Sequence, residues 1–143
     1  MKPIRFRLER QGHAAYGIYF RLFLLVSGGV PIFQEPEVME ATRDIIFELA
    51  SSNDFGDEET IPVQVLCVDG GEDVLEVVFS SKPTLAPVKF VNSLKGVTSR
   101  KLLQMFPDIG LGEKVWEPPY CLVSIGNTSP AVALKALRKP GKR

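Results

Sequence analysis

Histidine is nearly missing from this chain of 143 residues, and His13 is the only one. The two cysteines, Cys67 and Cys121, have no histidine partners in the pattern, which excludes a zinc site. Both fall in predicted strands, where buried reduced thiols are expected. Long apolar runs are missing too. No stretch reaches the ~18 residues that a membrane span requires, and the candidate at 18–26 is interrupted by Arg21. The opening MKPIRFRLERQGH is basic but lacks an apolar segment followed by a cleavage site. No signal peptide is therefore expected, and the cytoplasm is the default address. A hydrophobic content of 45% over 143 residues is enough for one domain, 1–143, with a real core.

Net charge is absent as well, but the zero hides a pattern. Residues 1–10 carry Lys2, Arg5, Arg7 and Arg10 against Glu9, and residues 135–143 carry five cations and no acid. Between them, 11–134 hold 8 basic and 16 acidic residues, a net of −8. The basic extensions, 1–12 and 138–143, read either as solvated tails or as contacts for nucleic acid.

The organising stretch is 88–106, VKFVNSLKGVTSRKLLQMF. Val91, Leu94, Thr98, Leu102 and Met105 recur at helical spacing and form its buried face. Lys89, Asn92, Lys95, Arg100, Lys101 and Gln104 occupy the other. Gly96 costs roughly 1 kcal/mol against alanine at such a position, which points to packing or a close approach. Pro107 ends the helix because it lacks the N–H that a further turn needs.

The rest of the chain falls in order around this helix. Residues 15–26 alternate, with Tyr16, Ile18, Phe20, Leu22, Leu24 and Val26 on one face of a long strand. Ser27-Gly28-Gly29 turns the chain. Glu35-Pro36 opens a second helix with inner stripe Val38, Thr42, Ile45 and Leu49, and outer acidic ridge Glu40, Asp44 and Glu48. An acidic loop at 51–60 leads to a strand at 61–68, with Ile61, Val63, Val65 and Cys67 on one face. Asp69-Gly70-Gly71-Glu72 is a hairpin signal, followed by a strand at 74–80 with Leu75, Val77 and Phe79 inward. A fourth strand is expected at 120–125 and a short last helix through Leu137. The order predicts an α+β fold: a ferredoxin-like βαββαβ antiparallel sheet, helices on one face, and a short C-terminal helix.

The wording of three segments goes further. PTLAPVKFVNSLKGVTSRKLLQMFP at 83–107 resembles the helix region of the single-tyrosine HUH transposases, the insertion-sequence-200-like family. That family's phrase is a PP-T-L-S-P turn followed by V-x-SLKG-x-SSR-x-L. GHAAYGIYFRLFLLVSGGVPIF at 12–33 is similar to the family's H-x-x-Y strand and its P-V-L exit. Val115-Trp116, Pro118-Pro119-Tyr120 and SIGN at 124–127 are similar to W-x-P-S-Y-x-x-x-x-V-G-N. The likeness runs over about 12–137.

The resemblance implies cleavage of single-stranded DNA by a tyrosine, with a divalent metal held by a His-x-His pair. The metal polarises the phosphate and the tyrosine forms a phosphotyrosyl link. Here the family's D-H-x-H reads Asp73-Val74-Leu75-Glu76. The nucleophile position carries Ala136, the position of an extra polar metal ligand carries Pro140, and His13 matches the opening strand instead. The family's basic stretch after its first strand is replaced by Ser27-Gly28-Gly29-Val30. These departures predict no catalytic residues, no metal ligands and no cofactor. A weak cation at Glu76 with Asp73 is opposed by their placement on opposite strand faces.

Two functions of different class follow, with a rewired enzyme a distant third. One is a catalytically inactive DNA- or RNA-binding homodimer with Lys95, Arg100 and Lys101 as phosphate contacts. An ordinary wet helix face explains the same three residues. The other is a structural or protein-interaction module using the open sheet face or a dimer surface, favoured by Val74, Val78 and neighbouring apolar residues because a valine there replaces a polar metal ligand. A homodimer is expected because family members pair and because the strand at 15–26 would otherwise leave an exposed edge.

Overall fold

The computed structural model describes residues 8–11, 14–51, 63–81, 86–126, 130, 131 and 134. Two short strands, β1 (Glu9–Gln11) and β2 (Ala14–Tyr16), pair antiparallel with Glu9 opposite Tyr16. The chain then passes Gly17 and Ile18 into β3 (Tyr19–Val26). The single strand expected over 15–26 is therefore two strands in two sheets. Gly17 has no side chain to pack and weakens the run at its break. Within the expected basic extension 1–12, Glu9–Gln11 form β1, and 1–7 and 12 lie outside the described residues.

Alternate residues of β3 face opposite sides of its sheet. Leu22, Leu24 and Val26 are buried, whereas Arg21, Phe23 and Leu25 face the other way. Three strands complete the sheet: β4 (Gln64–Gly70), β5 (Val74–Ser80) and β6 (Trp116–Ile125). The order is β4-β5-β3-β6, and every neighbouring pair is antiparallel. Leu75, Val77 and Phe79 continue the buried layer of β3, as their alternation predicts.

Helices α1 (Pro36–Ala50) and α2 (Pro87–Met105) cover this layer. Each starts with proline, whose missing N–H is of no consequence in a first turn. Val38, Thr42, Ile45 and Leu49 of α1 are buried, as are Val91, Leu94, Thr98 and Leu102 of α2. The fold is the ferredoxin-like βαββαβ arrangement with both helices on one sheet face. Pro130, Ala131 and Leu134 are helical, and the rest of the expected last helix lies outside the described residues. So does the acidic loop after Ser51.

Several expectations are corrected. β3 lies between β5 and β6, so the sheet's edges are β4 and β6. Met105 is 54% exposed because it ends α2 past the buried layer. Cys67 pairs with Val78 on the opposite face from Val63, because the register shifts between Val65 and Cys67. It is half-buried and Cys121 is exposed, so neither is the buried thiol expected. β6 starts at Trp116 although it contains Pro118 and Pro119. An edge strand tolerates proline, since its outer N–H groups have no ladder partner to lose. A Cβ added at Gly96 meets nothing within 4 Å, so no close approach inside the chain requires glycine there.

One buried polar link ties α2 to β6. Trp116 Nε1 donates to Thr98 Oγ1 at 2.8 Å, and that hydroxyl donates to the Leu94 carbonyl at 2.6 Å. Thr98→Val keeps the shape but leaves the buried indole N–H without its acceptor. It is expected to cost about 1–3 kcal/mol in urea unfolding. A loss under ~0.3 kcal/mol would remove this link from the account.

Candidate functional site

The sheet face turned away from the helices carries Val74 and Glu76, the positions that the resemblance sets against a His-x-His pair. Val74 and Glu76 are two residues apart on β5, so both point to this face. Cross-strand register places Phe23 and Asp69 beside Glu76, and Cys121 beside Phe23. Arg21 pairs in register with Val78 on one side and Val123 on the other.

Arg21 is the residue that sequence reasoning missed. Its Nε lies 3.0 Å from Glu76 Oε1. The N–H is not aimed well enough to count as a hydrogen bond, so the contact is an ion pair. With side chains 38% and 26% exposed, solvent screens it, and it contributes at most ~1 kcal/mol. Its chemical effect is larger than its energetic one, since it gives the Glu76 carboxylate a cation partner. A signal existed in the sequence. Arg21 is the lone charge in β3 and Glu76 the lone charge in β5, but pairing them requires the register.

The surroundings are apolar rather than ligating. Val78 is fully buried on this face, while Leu25 and Val123 are 48% and 44% exposed. Burial, with Asp69 and Glu76 nearby, pushes the Cys67 thiol up from its ordinary value. A raised thiol pKa means less thiolate and slower alkylation. Iodoacetamide at pH 8 should therefore label the exposed Cys121 first, and equal labelling of the two would contradict this placement. Among the described residues, no group of three His, Cys, Asp or Glu could hold a metal ion. His13, Ala136 and Pro140 lie outside the described residues.

The three basic residues expected to meet phosphate are not brought together. Lys95 and Arg100 are five residues apart on α2, about 140° around the helix. Lys95 turns to β6, where its Nζ donates to the carbonyls of Glu117 at 3.1 Å and Pro118 at 2.9 Å. It also stands 5.5 Å from the Tyr120 ring centre. Burial, with a smaller push from Lys114, lowers its pKa. Arg100 and Lys101 instead line a cleft of about 320 Å³ between the helices, with Ile45, Glu48, Leu49 and Gly96.

The loop after β3 is held by an acid. Gly28 and Gly29 have φ of 67° and 69°, where glycine is favoured. The Gly28 N–H donates to Glu117 Oε1 at 2.9 Å.

An antiparallel ferredoxin-like sheet with helices on one face is an architecture that solved transposases share. A crystal structure of a candidate transposase from Deinococcus radiodurans R1 superposes with a TM-score of 0.68 at 18% identity, covering 89% of this chain and 91% of that one. The REP-associated tyrosine transposase bound to a REP hairpin gives 0.51 at 11% identity, covering 90% and 64%. At these identities the two establish the fold. ISDra2 transposase TnpA of Deinococcus radiodurans is 26% identical over 98 residues, which span 66% of this chain and 64% of that protein. The family model for IS200-like transposases matches residues 14–136, and this chain belongs to that family.

Proposed function

We propose that this chain is a transposase-family protein that binds single-stranded nucleic acid without cutting it. The observation that carries the proposal is Glu76, at one position of the matched metal pair, already paired with Arg21, while Val74 at the other offers no ligand. A divalent metal does not fit these residues. Ala136, at the position matching the nucleophile, has no hydroxyl to attack a phosphate.

Binding in this proposal rests on Arg100 and Lys101, with the basic segment 138–143 as a further phosphate contact. Lys95 serves β6 instead, through its two carbonyl bonds. The hairpin bound by the REP-associated relative favours a folded single strand as ligand. We further assign 1–143 to one domain acting in the cytoplasm as a homodimer, in which a second copy covers the open edge of β6.

Single-stranded hairpin DNA with magnesium or manganese tests both halves. The expected result is no nick and no covalent adduct, with binding that weakens with salt. Three to five phosphate contacts give a log–log slope of roughly −2 to −4 on single strands. Arg100→Ala with Lys101→Ala should flatten it by about one to two units. An adduct that survives denaturation, and disappears when Tyr16, Tyr19 or Tyr120 is changed to phenylalanine, would overturn the loss of cleavage. No binding at ~50 mM salt would hand the case to a protein-interaction module. The exposed Leu25 and Val123 on the open sheet face are what favours that second reading.

A further inference from the structure

The described residues at one end of the sheet are strongly acidic. At the other end lie Tyr19, Ser80 and Ile125, which share a register row. Leu8 also belongs here, since it precedes β1, whose Glu9 pairs with Tyr16 just ahead of Tyr19. At the opposite, acidic end are three described loops, 27–35, 71–73 and 106–115, holding five carboxylates against one cation, Lys114, with Glu37 and Glu117 just inside the elements that follow.

This acidic end contains a groove of about 540 Å³ between the start of α1 and the end of α2. Its apolar wall includes Val30, Ile32, Met105, Phe106 and Ile109, and its charged lining is Glu35, Glu37 and Asp108, with no cation. Backbone bonds hold both banks: Glu35 N–H to the Ile32 carbonyl at 3.3 Å, and Ile109 N–H to the Phe106 carbonyl at 3.1 Å. The fold does not explain all of this acidity. Glu37 suits the positive start of α1, but Asp108 follows the negative end of α2, where an anion is unfavourable.

We propose that this groove receives the segment Lys2–Arg7 of a second copy of the chain. The segment alternates in kind: Lys2, Arg5 and Arg7 are cations, and Ile4 and Phe6 are apolar anchors. Cations meet the carboxylates while the anchors cover the wall that leaves Met105 54% exposed. A nucleic acid would be repelled by the carboxylates. A divalent cation is disfavoured because no three ligands converge among the described residues. A segment of the same copy is disfavoured by reach. β3 alone separates the two ends by about 23 Å at ~3.3 Å per residue, and seven extended residues span about 25 Å, so the same copy's segment would bring only its first residue to the groove. Antiparallel pairing of two β6 edges would set the end of each copy that bears Leu8 beside its partner's groove end, so the exchange closes as a dimer. That closure rests on the dimer proposed above, whereas the groove and its ligand do not.

A charge swap tests it on the full chain. Arg5→Glu with Arg7→Glu makes a chain with an acidic segment and an acidic groove. Glu35→Lys with Asp108→Lys makes one with a basic segment and a basic groove. Glu35 makes no side-chain capping bond, so the second variant removes none. By sedimentation equilibrium each variant alone should self-associate at least tenfold more weakly than the native chain, and an equimolar mixture should recover native association. Circular dichroism checks that both remain folded. Ile4→Ser with Phe6→Ser should weaken association with all charges kept. A native chain that is monomeric throughout overturns the proposal, as does a mixture of folded variants that fails to recover. Variants that each dimerise like the native chain overturn it too, while leaving the β6-edge dimer standing.

Discussion

Replacing Phe79 with alanine is expected to cost about 3–5 kcal/mol, the range for emptying a buried aromatic site. Phe79 is fully buried on β5, with ring centres of Phe20 at 5.6 Å and Phe90 at 4.8 Å. It therefore joins β3, β5 and α2 at one point. The surrounding layer is made of strands and a helix with little freedom to collapse into the space. Domains of this size have roughly 5–15 kcal/mol in total, so the variant should unfold at much lower urea or be partly unfolded without it. Phe47→Ala is the control. Phe47 is 45% exposed on α1, and its loss should stay within about 0.5 kcal/mol. A loss below ~1 kcal/mol at Phe79 would mean that this ring is not central to the core.

The elements legible in the sequence are those whose period records burial. Val38, Thr42, Ile45 and Leu49 mark α1, and Leu75, Val77 and Phe79 mark β5, because one face of each meets the core. What was not legible depends on partners distant in sequence. The turn of Cys67 to the open face follows from a bulge against β5, and a one-residue slip reverses every side chain beyond it. Tyr19–Val26 reads as an edge strand until β6 returns beside it. The site behaves alike. Val74 and Glu76 could be placed on one face by counting, but the Arg21 partner could not, since cross-strand register is invisible in a single strand. Lys95 looked like a free cation because its acceptors, two carbonyls of β6, carry no side-chain signal.

The two helices also show why a cation on a wet face does not make an interface. Arg100 and Lys101 share their cleft with Glu48, and α1 beside them bears Glu40 and Asp44 on its exposed side. A phosphate approaching Arg100 meets carboxylates within the ~8–10 Å over which charges act in ordinary salt. Tight binding to this body therefore needs further cations, and in the proposed function the segment 138–143 supplies them while the body orients the ligand.

Val74→His together with Glu76→His is expected to give the chain a divalent-cation site that the native protein lacks. The two positions are both half-buried on the open face and two residues apart on β5, so two imidazoles would stand on the same side of one strand. Zinc or nickel with free ligand at about 100 times its Kd should then stabilise the variant by about 2.7 kcal/mol against urea. The native chain should gain nothing. Arg21 would lose its carboxylate in this variant and leave a guanidinium beside the metal, so adding Arg21→Gln should tighten binding. Affinity should collapse below pH ~6.5, as protonated imidazoles cannot ligate. Hairpin DNA should still remain uncut, because Ala136 supplies no nucleophile. Zinc stabilisation of the native chain to the same degree would show that Val74 and Glu76 are not where a metal was lost. A folded double variant that ignores zinc and nickel would show that the two side chains do not converge on this face.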